Sequence, residues 1–229
     1  MAKQTKIHTF DVIVIGSGSA GFSAVEAAVA QGAKVCLIEK GKLGGECPND
    51  ACIPSKALLK AASVYRTLGS VREFGIDASG RNFDWKKIQA YRERVVSAIT
   101  GGGEGERYFQ VLKRLKVTLK KGEARFVSAY TLEVGDEKME GKAIVVATGT
   151  VDFIPPIDGL HDVHFWGWKE ALTASRQPKS IAIVGGGPVA CEIATFYASF
   201  GTRVVILQSA PAVLPREDEE ISQRAKGAL

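Results

Sequence analysis

Long apolar segments are absent from this sequence of 229 residues. No apolar run approaches the roughly 18 residues needed to cross a bilayer, so we predict no membrane association. The first ten residues, MAKQTKIHTF, also lack the apolar core of a signal peptide. Together these absences favour a cytoplasmic protein.

Cysteine is scarce, with four residues in the chain. In a reducing compartment this excludes a structural disulfide framework, and a bonded pair is more typical of catalysis or redox sensing. Cys36 alternates with apolar residues in a predicted strand, and Cys191 lies on a predicted helix. We interpret both as inert core residues.

A strong charge of one sign is also lacking, because the net charge is only +5 and the basic residues are spread along the chain. The densest basic run, at residues 113–121, surrounds a predicted strand. Nucleic-acid sites concentrate their basic residues on one face. We therefore interpret this run as a solvated surface and expect no nucleic-acid partner.

Glycine, in contrast, is abundant and partly clustered. Residues 11–15, DVIVI, predict a buried strand, and Gly16-Ser-Gly18-Ser-Ala-Gly21 follows at once. A helix then ends at Gly32, and a second strand closes on Glu39. This order of strand, glycine turn, helix, strand and acid predicts a dinucleotide site.

Each part of this unit has a physical task. Gly16 permits the tight turn, Gly18 lets the backbone approach a pyrophosphate, and Gly21 lets the helix pack against the strand. The helix N-terminus offers free N–H groups to the phosphates. Glu39, 39 − 16 = 23 residues after the first glycine, can accept hydrogen bonds from ribose hydroxyls.

The same order recurs later in the chain. Residues 180–184, SIAIV, precede Gly185-Gly-Gly187, and the next predicted strand closes on Gln208, again at 208 − 185 = 23 residues. Two such units predict two dinucleotides. The neutral amide of Gln208 replaces the acid of NAD-preferring proteins and favours NADPH slightly, although no arginine stands at 208 or 209 to bind a phosphate.

A cysteine pair lies between the two units. Cys47 and Cys52 are separated by four residues, close enough to bond across a tight turn. Pro54 suits a first helical position, so we predict Cys52 just before or within the first turn of a helix. The helix dipole and Lys56 would stabilise a thiolate there.

These features resemble the pyridine nucleotide–disulfide oxidoreductases, the group that includes dihydrolipoamide dehydrogenase, glutathione reductase and mercuric reductase. The most specific match is the segment GGECPNDACIPSKALL, at residues 44–59. The resemblance implies an α/β fold with two Rossmann-like dinucleotide-binding units, the second truncated. It assigns residues 1–150 to an FAD-binding domain and 151–229 to an incomplete NAD(P)-binding domain.

The resemblance also implies roles for individual residues. Cys47 would be the interchange thiol that meets the substrate, and Cys52 the charge-transfer thiol beside the flavin. Lys56 would lie near flavin N5 and pair with Glu192. The implied FAD contacts are Gly16, Gly18, Ala20, Gly21, Glu39, Lys40, Gly45, Glu46, Cys47, Lys56, Ala124, Ala147, Thr148 and Gly149. The implied NAD(P) contacts are Gly185, Gly187, Pro188, Val189 and Gln208.

The chain departs from the family pattern at several positions. Glu46 stands where Thr is usual, Asp50-Ala51 replaces Val-Gly, and Pro188 replaces a tyrosine that gates the nicotinamide in several members. The two acids would raise the pKa of Cys47 and discourage anionic disulfides. A dihydrolipoamide dehydrogenase-like reductase, a mercuric-ion reductase-like enzyme and a non-catalytic flavin-binding redox module all stay open.

Family members are much longer and add an interface domain that supplies a His–Glu pair across a homodimer. His8, His161 and His164 match none of those positions. We therefore expect a fragment, a truncated product or a chain that needs a partner, with poor turnover or none by itself. Its full-length form would be a homodimer acting on a small disulfide or dithiol. A cysteine pair at the C-terminus of that parent would indicate the mercuric reductase type.

Overall fold

The computed structural model describes residues 7–229, which form both strands and helices. The expectation that MAKQTKIHTF holds no signal peptide therefore falls largely outside the described residues. The strands are β1 (Ile7–Ile15), β2 (Val35–Glu39), β3 (Thr118–Lys121), β4 (Arg125–Phe126), β5 (Thr131–Val134), β6 (Glu137–Val146), β7 (Ser180–Val184) and β8 (Arg203–Leu207).

Helices connect most of these strands. They are α1 (Ser19–Ala30), α2 (Glu46–Asn49), α3 (Cys52–Thr67), α4 (Trp85–Thr100), α5 (Glu106–Arg114), α6 (Trp168–Thr173), α7 (Pro188–Ser199) and α8 (Glu219–Ala228). Short 3₁₀ turns lie at Val71–Phe74 and Leu160–Asp162. Across residues 7–229, no helix is long and apolar enough to cross a membrane.

The chain divides by its contacts into two units. The first contains residues up to Cys52 together with 96–153, and the second contains 53–95 together with 154–229. The contact boundary near residue 153 is close to the predicted domain boundary at 150, but residues 53–95 group with the later part of the chain. Which nucleotide each domain binds stays a prediction.

The first unit is built on a six-stranded sheet in the order β3-β2-β1-β6-β5-β4. Strands β3, β2, β1 and β6 are parallel, and β5 and β4 continue antiparallel at one edge. Successive residues of β2 alternate between two buried clusters: Cys36 and Ile38 join Ile13 on one face, and Leu37 joins Val14 on the other. Burial of both faces explains why residues 12–15 of β1 and 35–38 of β2 are continuous apolar runs.

The second unit pairs β7 with β8 in parallel, with α7 as the connection. Its core is aromatic, because Trp85 packs against Phe196 and Tyr197 of α7. The buried hydroxyl of Tyr197 donates to the carbonyl oxygen of Ala171 at 2.7 Å, which ties α6 to α7. The predicted α/β fold class is confirmed, and each unit carries one strand–helix–strand start.

Candidate active site

The first glycine turn leaves no room for side chains. Gly16 has φ +99°, and an ideal Cβ on it would lie 2.3 Å from the carbonyl oxygen of Ala147. A Cβ on Gly21 would lie 1.9 Å from the carbonyl oxygen of Gly16. The turn is therefore pressed against both the end of β6 and the first turn of α1. Ala147, Thr148 and Gly149 follow β6 directly at this edge of the sheet.

The N-terminus of α1 presents backbone donors. Gly18, its N-cap, is extended, and no side chain of the described residues caps the helix. The first N–H groups of a helix have no intrahelical partner, and the helix dipole favours an anion there. A dinucleotide pyrophosphate fits these donors, and Ala20 lies exposed in the same turn.

Glu39 closes the turn at the end of β2. Its Oε2 accepts hydrogen bonds from the backbone N–H and the hydroxyl of Ser17, at 2.8 and 2.7 Å. Its Oε1 accepts from the N–H of Gly41 at 2.6 Å. Two carboxylate oxygens offer about four acceptor sites, so capacity is left for a ribose hydroxyl.

These contacts control the ionisation of Glu39. Burial acts to raise its pKa, but the hydrogen bonds from Ser17 and Gly41 and the positive charge of Lys121 outweigh burial. The pKa is therefore lowered from its ordinary value of 4.5. The carboxylate is ionised at neutral pH and acts as an acceptor.

The segment before Cys47 lies directly on the glycine turn. A Cβ on Gly45 would lie 2.5 Å from the Cα of Gly18, so the two backbones touch. The N–H of Gly44 donates to the hydroxyl oxygen of Ser17 at 3.2 Å. From the other side, the amide of Asn49 donates to the carbonyl oxygens of Leu43 and Gly45, at 3.0 and 2.8 Å.

The two predicted redox cysteines begin two consecutive helices. Cys47 is the second residue of α2, after Glu46, and Cys52 is the first residue of α3. Both side chains are exposed and present as thiols. The helix begins two residues before Pro54, which is tolerated because the first-turn N–H groups need no partner. Cys52 thus lies at the N-terminus of a sixteen-residue helix.

Lys56 and Glu192 form an ion pair in the second unit. Lys56 Nζ lies 2.5 Å from Glu192 Oε1, and the two side chains are 60% and 31% exposed. Lys56 follows Cys52 by four residues along α3, and Glu192 lies in the first half of α7. This contact joins the two residues that the family resemblance predicted to pair. Their roles toward a flavin stay a prediction.

The remaining residues implied for the flavin lie at the ends of strands. Lys40 follows β2, and its Nζ lies 3.1 Å from Oε1 of Glu123, next to Ala124. The N–H of Gly122 donates to the carbonyl oxygen of Glu39 at 3.0 Å, which brings this segment to the end of β2. These residues line the same sheet edge as the glycine turn.

The second glycine turn repeats the geometry of the first. Gly185 has φ +97°, and the extended Gly187 caps α7, whose first residue is Pro188. The N–H of Gly186 donates to Oε1 of Gln208 at 3.0 Å, as that of Ser17 donates to Glu39. The adjacent Val189 is 54% exposed.

Sequence reasoning missed three residues of the first unit. Ser17 lies between two glycines of the turn and donates to Glu39 at the end of β2. Asn49 lies between the two cysteines and closes the loop before them. The ring of Tyr108 packs on Gly44. Tyr108 lies in α5, more than sixty residues later in the chain, so no local sequence pattern indicates this contact.

The other two cysteines differ from each other. Cys36 is fully buried, and burial raises the pKa of its thiol to about 12, with Lys120 offsetting only part of the effect. Cys191 is only partly buried, and burial raises its pKa as well. Among residues 7–229, no group of three or more histidine, cysteine or acidic side chains is placed to hold a metal ion.

Comparison with known proteins identifies the family. The family profile described as "Pyridine nucleotide-disulphide oxidoreductase" matches residues 10–229. The chain therefore belongs to this family, as the sequence resemblance predicted. Membership implies use of a flavin and a pyridine nucleotide.

Individual relatives point to the same reaction class. The dihydrolipoyl dehydrogenase of Acholeplasma laidlawii is 36% identical over 217 residues, which are 93% of this chain and 63% of that protein. The enzyme of the same name from Chlorobaculum parvum is 39% identical, over 95% of this chain and 46% of its own length. The mercuric reductase of Lysinibacillus sphaericus is 31% identical, over 96% and 40%.

A solved structure supports the fold. The Cu(II) complex of the HOCl-induced flavoprotein disulfide reductase RclA from Escherichia coli aligns with a TM-score of 0.78 and 27% identity, over 95% of this chain and 46% of that one. This chain thus spans between 40% and 63% of the length of these proteins. The relatives support a disulfide oxidoreductase as the general class.

We expect Glu39→Gln to destabilise the first unit by about 1–3 kcal/mol at neutral pH, because an amide cannot accept from both Ser17 and Gly41. The pKa of Glu39 is lower in the folded chain, so its contribution is complete above pH 4.5 and is lost as the pH falls further. As the pH falls below 4.5, the free energy of unfolding should therefore decrease less for the variant than for the wild type. Urea unfolding between pH 3 and 7 measures both effects.

The matched control is Glu140→Gln, an exposed acid of the same unit. It should unfold like the wild type at neutral pH. Equal stability of the Glu39→Gln variant and the wild type across the whole pH range would contradict the assigned network.

Proposed function

We propose that this chain carries the flavin site and the redox cysteine pair of an NAD(P)H-dependent flavoprotein disulfide reductase of the dihydrolipoamide dehydrogenase type. The observation that supports it most is the contact of Gly45 with Gly18. It places the segment leading to Cys47 on the turn that offers its N–H groups to a pyrophosphate. Nucleotide binding and thiol chemistry then share one edge of the sheet.

The residues of this edge fit a flavin dinucleotide. Gly16, Gly18 and the N-terminus of α1 would hold the pyrophosphate, and Glu39 the ribose. A bound flavin supplies two-electron transfer between a nicotinamide and the cysteine pair. The chain itself would orient the groups around it, with Cys52 at the N-terminus of α3.

Cys47 and Cys52 then divide the thiol chemistry. Cys47, exposed on the short helix α2, would attack the substrate disulfide as a thiolate, and one substrate sulfur leaves as a thiol. Cys52 would attack the resulting mixed disulfide, which releases the second substrate thiol and closes the Cys47–Cys52 bond. The Glu192 carboxylate would hold the Lys56 side chain in place.

The carboxylates flanking Cys47 bear on the choice of substrate. Glu46 lies in the first turn of α2, and Asp50 follows that helix. Their negative charges disfavour anionic disulfides such as glutathione and favour a neutral or cationic disulfide. Lipoamide is a neutral disulfide of this kind.

A metal-ion substrate is the second candidate. Mercuric reductases are among the relatives, and the RclA structure is that of a Cu(II) complex. Thiolates are ligands for soft ions, and a pair of exposed cysteines would suit such an ion as substrate. Turnover of Hg²⁺ or Cu²⁺ by the full-length protein, with no turnover of lipoamide, would favour this candidate.

Reduction of the FAD-loaded chain tests the proposal directly. After one equivalent of dithionite, we expect a long-wavelength charge-transfer band, because a Cys52 thiolate at the head of α3 would lie against the flavin. Cys52→Ser should lose the band and retain the flavin. Cys191→Ser is the matched control and should keep both. A flavin-loaded wild-type chain without the band would count against the role of Cys52.

The nicotinamide coenzyme is proposed to be NADPH. Gln208 uses its Oε1 to accept from Gly186, so its amide N–H groups are left as donors at the place where an acid would repel a 2′-phosphate. Gln208→Glu should weaken NADPH binding about tenfold relative to NADH, since one charge contact of about 1.4 kcal/mol changes an equilibrium tenfold. Calorimetric titration of both coenzymes measures this ratio.

Gln223→Glu makes the same change of charge at an exposed position of α8 and should leave the ratio unchanged. An unaltered ratio in Gln208→Glu would refute the assignment of Gln208. The homodimer of the full-length protein and its cytoplasmic location stay predictions of the sequence.

A further inference from the structure

Tyr108 packs on the loop that carries Cys47. An ideal Cβ on Gly44 would lie 2.5 Å from Cε2 of Tyr108 and 2.7 Å from Cζ, the ring carbon that bears the hydroxyl. On its other side the ring meets that of Phe22, with centroids 5.2 Å apart. Tyr108 is therefore fixed between Phe22 of α1 and Gly44, and Gly44 lies 47 − 44 = 3 residues before Cys47.

The loop and the start of α5 are also joined through the backbone. The N–H of Leu43 donates to the carbonyl oxygen of Glu104 at 3.0 Å. A Cβ on Gly105 would lie 2.7 Å from the carbonyl oxygen of Leu43, so only glycine permits this approach. The phenol is thus presented to the Cys47 segment by a rigid support rather than by a mobile side chain.

The charges of the two groups are coupled. Burial and, next, the negative charge of Cys47 raise the pKa of Tyr108. The phenol consequently stays protonated at neutral pH, where it is a hydrogen-bond donor. An anion within electrostatic range of a neutral O–H is stabilised when that O–H points toward it.

We propose that Tyr108 is a positioning residue whose hydroxyl donates to the Cys47 thiolate and sets its reactivity. The inference rests on the proposed function, because it assigns Cys47 the nucleophilic role. The hydrogen bond from Tyr108 would offset the negative charges of the carboxylates at positions 46 and 50, which disfavour the thiolate. No proton leaves Tyr108: the phenol keeps its hydrogen and shares it with the sulfur.

Tyr108→Phe tests this, since the ring contacts with Gly44 and Phe22 survive and only the hydroxyl is lost. The measurement is the rate of Cys47 carbamidomethylation by iodoacetamide from pH 6 to 10, followed by peptide mass spectrometry of the reduced chain. We expect alkylation at pH 7 to slow about three- to tenfold, the size of one lost hydrogen bond. At pH 10 the variant should react as fast as the wild type or faster, because a more basic thiolate is more nucleophilic.

Tyr130→Phe, an exposed tyrosine of the same unit, is the matched control and should reproduce the wild-type profile. An unchanged profile in Tyr108→Phe, or an equal loss of rate at every pH, would overturn the proposal. Neither flavin nor coenzyme is needed, so the result is independent of whether the chain passes the charge-transfer test.

A second measurement does not depend on the folding of that variant. In ¹³Cζ-tyrosine NMR, replacing Cys47 by Ser removes the negative charge, so one tyrosine should titrate at a lower pH than in the wild type. Identical titration of every tyrosine in Cys47→Ser and the wild type would also contradict the proposal.

Discussion

The backbone contact between Gly18 and Gly45 is the constraint on which the site depends. Two chain segments that are 45 − 18 = 27 residues apart meet without side chains between them, so the glycine turn and the approach to Cys47 occupy one place. Any Cβ on Gly45 would separate them. Ser17 and Glu39 stabilise the same contact, because the serine hydroxyl donates to the acid and accepts from Gly44.

This network gives Glu39 two tasks. Its carboxylate satisfies the donors of its own turn, which lowers its pKa, and it retains acceptor capacity toward a ribose. In the second unit the side-chain oxygen of the neutral Gln208 accepts a hydrogen bond from the N–H of Gly186, which belongs to the second glycine turn. An acid and a neutral amide at the strand end therefore make the same hydrogen bond to the glycine turn.

The sequence predicts the elements whose cause is local. Apolar runs flanked by glycine turns indicate β1, α1 and β2, and again β7, α7 and β8. Both the hydrophobic period and the glycine turn are formed by residues adjacent in the sequence. The cysteine segment is equally local. The start of α3 at Cys52 rather than at Pro54 differs by two residues, since a proline is accepted within the first turn of a helix.

Contacts between distant segments could not be predicted in this way. Tyr108 reaches Gly44 from α5, and residues 53–95 group with the later part of the chain, because tertiary packing rather than local sequence brings them together. Nor does the sequence reveal that Asn49 closes the loop before Cys47, since its amide bonds to backbone oxygens that any residue supplies.

A crystal structure of the chain with FAD tests the central claim most directly. The account predicts the pyrophosphate at the N–H groups that open α1, the ribose at Glu39, and the flavin ring beside the sulfur of Cys52. A dinucleotide bound elsewhere, or a flavin ring turned away from both cysteines, would contradict it.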